Sequence, residues 1–325
     1  MSLNGAGSTF TAPLYAKWIE AYKSVEKGVR VNYQPVGSGA GVKNITDKTV
    51  DFGASDAPLT DDELKAAKSP IIHIPTTLGA VVVSYNLAGA PDHLKLSPEV
   101  LASIFLGEIK VWNDPKLVEL NPDAKLPAIK IGVAYRSDGS GTTAVFTDFL
   151  ATTSPTWKTK VGSGKSVTWP TGIGGKGNDG VANQIKQTPG TIGYVELAFA
   201  LQTKQPVASI KNHTGAFIVP TLDAITAAAA AADAKMPDDL RLSIVDADGP
   251  ASYPIAGFTY ALVYGDVADA AKATAMATFL WWGVHDGQKL APALNYAPLP
   301  AEVVAKTEAK LKGLSSGGKP VLTGK

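Results

Sequence analysis

Three short turns in this chain pair glycine with a hydroxyl residue just ahead of a helical pattern. They are Gly5-Ala6-Gly7-Ser8-Thr9-Phe10, Gly37-Ser38-Gly39-Ala40-Gly41 and Asp138-Gly139-Ser140-Gly141-Thr142. Glycine lets the backbone approach a ligand closely, and the first N–H groups of a helix have no partner inside it. Such a turn holds an anion without any net charge. One alone is an ordinary helix start; three of them, with Arg136 just ahead of the third, point to an oxyanion site. The Arg136 guanidinium is a planar fork suited to a tetrahedral oxyanion, and Asp138 is close enough in sequence to orient it.

Asp56, in Asp51-Phe52-Gly53-Ala54-Ser55-Asp56-Ala57-Pro58, narrows the choice of anion. A carboxylate at an anion site repels the ligand unless the ligand brings a proton. Phosphate near neutral pH keeps one or two protons, and sulfate keeps none. An aspartate there accepts a hydrogen bond from phosphate and meets sulfate with repulsion. A site built around a ligand O–H rejects the analogue lacking it by roughly 10⁴–10⁵. The plain alternative for Asp56 is a turn residue near proline.

Enzyme motifs are weaker. Gly164-Lys165-Ser166 ends like a Walker A loop, but Thr159 stands where the first glycine belongs, and Gly177 is followed by Asn178 where lysine is required. The Gly-x-Ser-x-Gly at Gly313–Gly317 follows no strand pattern. His73, His93, His213 and His285 have no metal-ligand spacing. Asn44-Ile45-Thr46 and Asn212-His213-Thr214 match the glycosylation sequon, a pattern short enough to arise by chance. A phosphatase or phosphoryl-transfer enzyme would use Asp56 as nucleophile or base. A receptor for sulfate, molybdate or a phosphorylated metabolite is the other competing reading.

The elements that must position these residues alternate between strand and helix. Strands are expected at Val29–Val36, Asp51–Ser55, Ala80–Tyr85, Ile129–Tyr135, Ile192–Val195, Leu242–Val245 and Phe258–Val263. Ala80–Tyr85 is apolar enough to lie inside a parallel sheet. Helices are expected after the first two turns, after the capping box Thr60-Asp61-Asp62-Glu63, after Ser97-Pro98 and over Thr142–Leu150. Arg136 falls at the C-terminal end of its strand, where open α/β sheets bind ligands. The alternation makes this an α/β protein with mostly parallel sheets. The Ala-rich run Thr226–Ala232 reads as a solvent-washed helix, and Gly313–Lys325 as a loosely packed tail.

At 325 residues the chain has room for two domains. Thirty basic against 29 acidic residues leave a net charge of +1, with no basic excess for a nucleic-acid partner. The absence of cysteine excludes disulfides, thiolate metal sites and a cysteine nucleophile. No apolar run reaches the roughly 18–20 residues that span a bilayer. Met1-Ser2-Leu3-Asn4 reads as an engineered start on a mature chain, from which an export signal is expected to have been removed.

Together these residues resemble a known family. Gly5 to Phe10 with Ala12-Pro13, Asp51 to Pro58, Leu106-Gly107-Glu108-Ile109-Lys110 with Trp112, Arg136 to Thr142, and Trp169-Pro170 through Gly174–Gly180 are similar to the substrate-binding proteins of bacterial phosphate-specific ABC transporters. The likeness runs over about residues 4–325 and is thinnest between Pro206 and Pro250. It implies a two-lobed periplasmic-binding-protein fold of type II, with two mixed, mostly parallel sheets joined by two crossing strands. Lobe one is then 1–82 plus 253–325 and lobe two 83–252, with the ligand in the cleft between them. Carried over position by position, the phosphate ligands are Thr9, Phe10, Ser38 and Asp56 from one lobe, and Arg136, Ser140, Gly141 and Thr142 from the other. Asp138 is implied as the partner of Arg136. The resemblance further implies a periplasmic monomer, not an enzyme, that needs no cofactor or metal and delivers inorganic phosphate to a membrane permease.

Overall fold

The computed structural model describes residues 1–232 and 235–323. It divides into two compact units: Met1–Leu78, Asp233–Ser243 and Phe258–Lys325 form the first, and Gly79–Ala232 with Ile244–Gly257 the second. Two strands, Ile71–Tyr85 and Ala256–Tyr264, run through unit boundaries. No helix among the described residues is long and apolar enough to cross a membrane.

In the first unit, Ser2–Gly7 pairs in parallel with Arg30–Pro35 on one side and Phe52–Ser55 on the other. Ala256–Tyr264 adds antiparallel to the last, with Tyr260 opposite Ser55. The three parallel strands end at the same edge, so the segments that follow them, at Ser8, Val36 and Asp56, leave from that edge. Helix Ala12–Val25 starts with Pro13 in its first turn and buries Leu14, Tyr15, Trp18 and Tyr22, a one-sided stripe at helical spacing. Trp18 is fully buried, and its Nε1 donates to the Gly287 carbonyl at 2.8 Å. Truncating such a side chain costs about 3–5 kcal/mol. Thr60 makes the expected capping box with Glu63 at the start of Asp61–Ala66.

The second unit carries a mixed sheet in the order Ile71–Tyr85, Thr191–Glu196, Gly132–Arg136, Ile173–Gly175. Gly132–Arg136 is parallel to both neighbours, with Arg136 opposite Gly175. A small sheet of Lys95–Leu96, Ser209–Lys211 and Phe217–Ile218 lies in the same unit. Helix Pro98–Phe105 is capped by Ser97, and Gly141–Thr153 by Ser140, each serine accepting the N–H three residues on.

Several expectations need correction. Ala80–Tyr85 pairs antiparallel with Thr191–Glu196, Val82 opposite Val195. A strand buried on both faces has the same apolar run whichever way its neighbour points. Leu242–Val245 is not a strand. The Tyr260 hydroxyl accepts from Leu242 N at 3.3 Å and donates to Leu242 O at 3.1 Å, so a side chain serves this backbone where a strand neighbour was expected. The stretch 233–243, assigned to lobe two from the sequence, groups with the first unit; of it, 233–234 lie outside the described residues. Arg241 ties it there, donating to the Leu59 carbonyl at 3.0 Å and to Asp61 at 2.8 Å. The Ala-rich helix, Leu222–Ala232, is not solvent-washed: Ala224, Ile225, Ala228, Ala229 and Ala232 are buried. Finally, the tail forms a short hairpin, Ser315–Ser316 with Lys319–Pro320, over buried Leu314 and Leu322. Ser315 N donates to the Gly265 carbonyl at 3.0 Å; residues 324–325 lie outside the described residues.

Candidate anion-binding site

The first unit gathers Ser8, Thr9, Phe10, Ser38 and Asp56 into one cluster, linked by hydrogen bonds from the Ser8–Phe10 turn and the Ser38 helix start to Asp56 and the strand end before it. Backbone contact fixes the spacing of the turns. Ser8 N donates to Ala54 O at 3.0 Å and Gly37 N to Gly7 O at 2.8 Å. A Cβ on Gly41 would lie 2.5 Å from the Gly7 Cα, so only glycine lets helix Ser38–Thr46 come this close to the first strand. That helix has no side-chain cap: Gly37 precedes it at φ 96°, and the N–H groups of Ser38, Gly39 and Ala40 make no bond among the described residues. These are the donors expected of an anion-holding turn.

Asp56 is buried at 3% exposure. Its Oδ1 accepts from Ser8 Oγ at 2.5 Å and from Thr259 Oγ1 at 2.8 Å, and its Oδ2 from Ser38 Oγ at 3.3 Å. Thr9 is buried and its carbonyl accepts from Ala12 N at 3.3 Å. Phe10 departs from the expected arrangement. Its N–H donates to Ser8 Oγ at 2.9 Å, its carbonyl accepts from the Tyr296 hydroxyl at 2.6 Å, and its ring is buried. In this arrangement the Phe10 amide supports Ser8 in holding Asp56.

The second unit gathers Arg136, Asp138, Ser140, Gly141 and Thr142. Arg136 leaves the end of its strand with a side chain only 1% exposed and forms a two-pronged pair with Asp138, Nε to Oδ1 at 2.8 Å and Nη2 to Oδ2 at 2.6 Å. Burial, the largest single influence on the Asp138 carboxyl, pushes it up. The Arg136 hydrogen bonds and charge, with the N–H of Gly177, outweigh this and hold it below the usual carboxylate range. Arg136 Nη1 also reaches Thr142 Oγ1 at 3.4 Å, and Asn178 Nδ2 donates to the same oxygen at 3.1 Å. With two donors pointing at it, the Thr142 hydroxyl has its own proton left to give. Ser140 is in the same position, because its Oγ accepts from Thr143 N at 3.0 Å. The N–H groups of Gly141 and Thr142 make no bond among the described residues. One charged fork, two hydroxyl protons and two helix N–H groups thus converge, which is a donor set for an oxyanion.

Beyond Asp138, sequence reasoning missed the supports of both clusters. Ser8 lay inside a recognised turn, and Gly177 and Asn178 inside a Gly-rich stretch set aside as a failed Walker A. Thr259 and Tyr194 gave no signal, since each is one residue within a strand. Tyr194 is fully buried, accepts from Arg136 N at 3.0 Å and meets Thr143 Oγ1 at 2.6 Å. The histidines have structural partners; His73, for example, accepts from Leu59 N at 3.0 Å. Among the described residues no group of three or more His, Asp or Glu is placed to hold a metal ion.

Residues 1–285 match the model of the PBP superfamily domain. The chain is 42% identical over 310 residues to the phosphate-binding protein PstS of Xylella fastidiosa, covering 95% of this chain and 84% of that protein. It is 43% identical over 314 residues to the phosphate-binding protein PstS of Haemophilus influenzae, covering 96% and 92%. Among solved structures it is similar in fold to a high affinity periplasmic phosphate-binding protein, PfluDING, bound with phosphate, at a TM-score of 0.74 and 24% identity over 95% of this chain and 93% of that one. With identity of this level along nearly its whole length, the chain belongs to the PstS family of phosphate-binding proteins.

Proposed function

We propose that this protein is the extracytoplasmic receptor of a phosphate ABC transporter, binding one inorganic phosphate ion with high affinity and delivering it to the membrane permease. It acts in the periplasm as a monomer, by binding and not by turnover. The observation that carries the reading is Asp56, a buried carboxylate amid hydroxyl donors in a cluster otherwise suited to an anion. Only a ligand that brings its own proton is welcome there. Membership of a family whose relatives are named phosphate-binding proteins supports the same ion.

In this reading the ligand set is Thr9, Ser38 and Asp56 with Arg136, Ser140, Gly141 and Thr142; Asp138 holds the guanidinium, and the Phe10 amide holds Ser8 against Asp56. Asp56 takes the phosphate proton, Arg136 supplies the formal positive charge, and the remaining donors come from hydroxyls and helix N–H groups. Both clusters serve the same ion, so phosphate favours the closed arrangement in which all contacts are made. Each hydrogen bond to a charged group contributes about 1.5–3 kcal/mol net, and several together offset stripping water from the ion.

Isothermal titration calorimetry tests this directly. One phosphate should bind per chain, with no heat from sulfate. Equal heats from the two ions overturn the role of Asp56, two phosphates per chain overturn the shared site, and turnover of a phosphate ester overturns a purely binding function.

A further inference from the structure

Asp56 is held by more than the turn that carries it. Both hydroxyls on its Oδ1 have a fixed direction. Ser8 Oγ already accepts the Phe10 N–H, which leaves its own proton for the carboxylate. Thr259 is fully buried on the strand Ala256–Tyr264, and Asp56 is the one partner of its hydroxyl among the described residues. The backbone at Thr259 is anchored in turn. Thr76 Oγ1 donates to its carbonyl at 3.1 Å, and the Tyr15 hydroxyl meets Thr76 Oγ1 at 3.2 Å. Two donors use both lone pairs of a carboxylate oxygen. A further donor must therefore address Oδ2, where Ser38 Oγ stands at the longer distance of 3.3 Å.

Resting on the phosphate-receptor reading above, we infer that Thr259 is a specificity-determining residue which, with Ser8, saturates Oδ1 of Asp56 so that the ligand proton is received on Oδ2. Hydrogen bonds to a carboxylate favour its charged form over its protonated one. A protonated Asp56 would donate to any oxyanion, and the distinction between phosphate and sulfate would be lost. Thr259 thus acts at one remove, as a positioning residue. The phenols of Tyr15 and Tyr33 also face Asp56, and both are pushed up by burial and uncharged throughout the range of the test.

Thr259→Val keeps the shape of the side chain and removes only the donor. Phosphate and sulfate titrations of the wild type, Thr259→Val and Thr259→Ser are run from about pH 8 down to about pH 5, where phosphate keeps at least one proton. Thr259→Val should bind phosphate at the upper end and gain sulfate binding as the pH falls. At the lower end its phosphate-to-sulfate affinity ratio should drop about ten- to hundredfold below wild type, the effect of one hydrogen bond to a charged group. Thr259→Ser should restore the ratio. A ratio equal to wild type at every pH overturns the inference, including the case where affinities for both ions fall together, which is what a purely structural role gives. Where Thr259→Val does not fold, Ser8→Ala removes the other donor from the same oxygen, and an unchanged ratio there is equally fatal. A wild type that binds no phosphate overturns the receptor reading itself, which separates the two failures.

Discussion

Replacing Tyr194 by phenylalanine tests the support beneath Arg136. The ring stacks on Phe146 at 4.4 Å and on Trp169 at 5.5 Å between centroids, and a phenylalanine keeps both contacts. What is lost is a hydroxyl that accepts the Arg136 N–H and bonds the Thr143 hydroxyl. The Thr143 hydroxyl can rotate toward another partner, whereas the backbone N–H cannot. Arg136 is 4% exposed, so that N–H is left buried and unsatisfied, at a cost of about 1–3 kcal/mol. For a urea slope of roughly 2 kcal/mol per molar, a cost near 2 kcal/mol lowers the unfolding midpoint by about 1 M. The guanidinium keeps its two bonds to Asp138, so phosphate affinity should fall less than about tenfold. Urea denaturation followed by circular dichroism, with a phosphate titration of the same protein, measures both quantities. A midpoint unmoved within about 0.2 M refutes the claim that this hydroxyl satisfies the Arg136 backbone. An affinity loss exceeding the stability loss would instead make Tyr194 part of the binding machinery.

Further outcomes are expected elsewhere. Asp56→Asn should lower phosphate affinity modestly while discrimination against sulfate falls by at least about a hundredfold, part of the roughly 10⁴–10⁵ that a site for a ligand hydroxyl provides; calorimetry with both ions reads the two effects. Asn212 donates to the carbonyls of Gly249, Pro250 and Ser252 and accepts from Thr214 and Ala216, so Asn212→Asp, which turns an oxygen toward those carbonyls, should cost about 3 kcal/mol in a thermal or urea melt. Among the phenols that burial raises above the ordinary value of about 10 are the five of Tyr15, Tyr33, Tyr194, Tyr253 and Tyr260. The stability this represents is complete below about pH 10 and is lost as pH rises further, because the unfolded chain ionises first. Phenolate absorbance from these five should therefore appear only with unfolding, and free titration near pH 10 in the folded protein would count against their burial.

Much of the site was legible because its chemistry is local. A turn of glycine and hydroxyl residues before a helix announces free N–H donors whatever the rest of the chain does, and Arg136 with Asp138 is a pair two residues apart. The supports are not local. Thr259 reaches Asp56 across 203 positions of sequence and Tyr194 reaches Arg136 across 58, and neither distance leaves a pattern in one chain. Strand direction was equally hidden, since the apolar run ending at Tyr85 is compatible with a parallel or an antiparallel neighbour. The Ala-rich helix misled for a different reason. Alanine is a strong helix former on the surface and also the residue that lets a buried helix pack closely, and composition does not separate the two. Leu242–Val245 has the alternation of a strand, but a tyrosine hydroxyl answers its backbone before any neighbouring strand can.

The close seating of Gly41 on Gly7 also bears on how this binding function can be altered. Side chains that wrap a ligand must each give up rotamers when it arrives, at about 0.5–1.5 kcal/mol apiece. Here part of the cradle is main chain locked against main chain, with no rotamer to freeze, so its donors are preorganised and their entropy was already surrendered on folding. A new anion preference is accordingly reached through the few side chains that top the frame, Ser38 and Asp56 with Ser8 and Thr259 beneath them. Widening the frame itself would require a Cβ where the neighbouring backbone leaves no room.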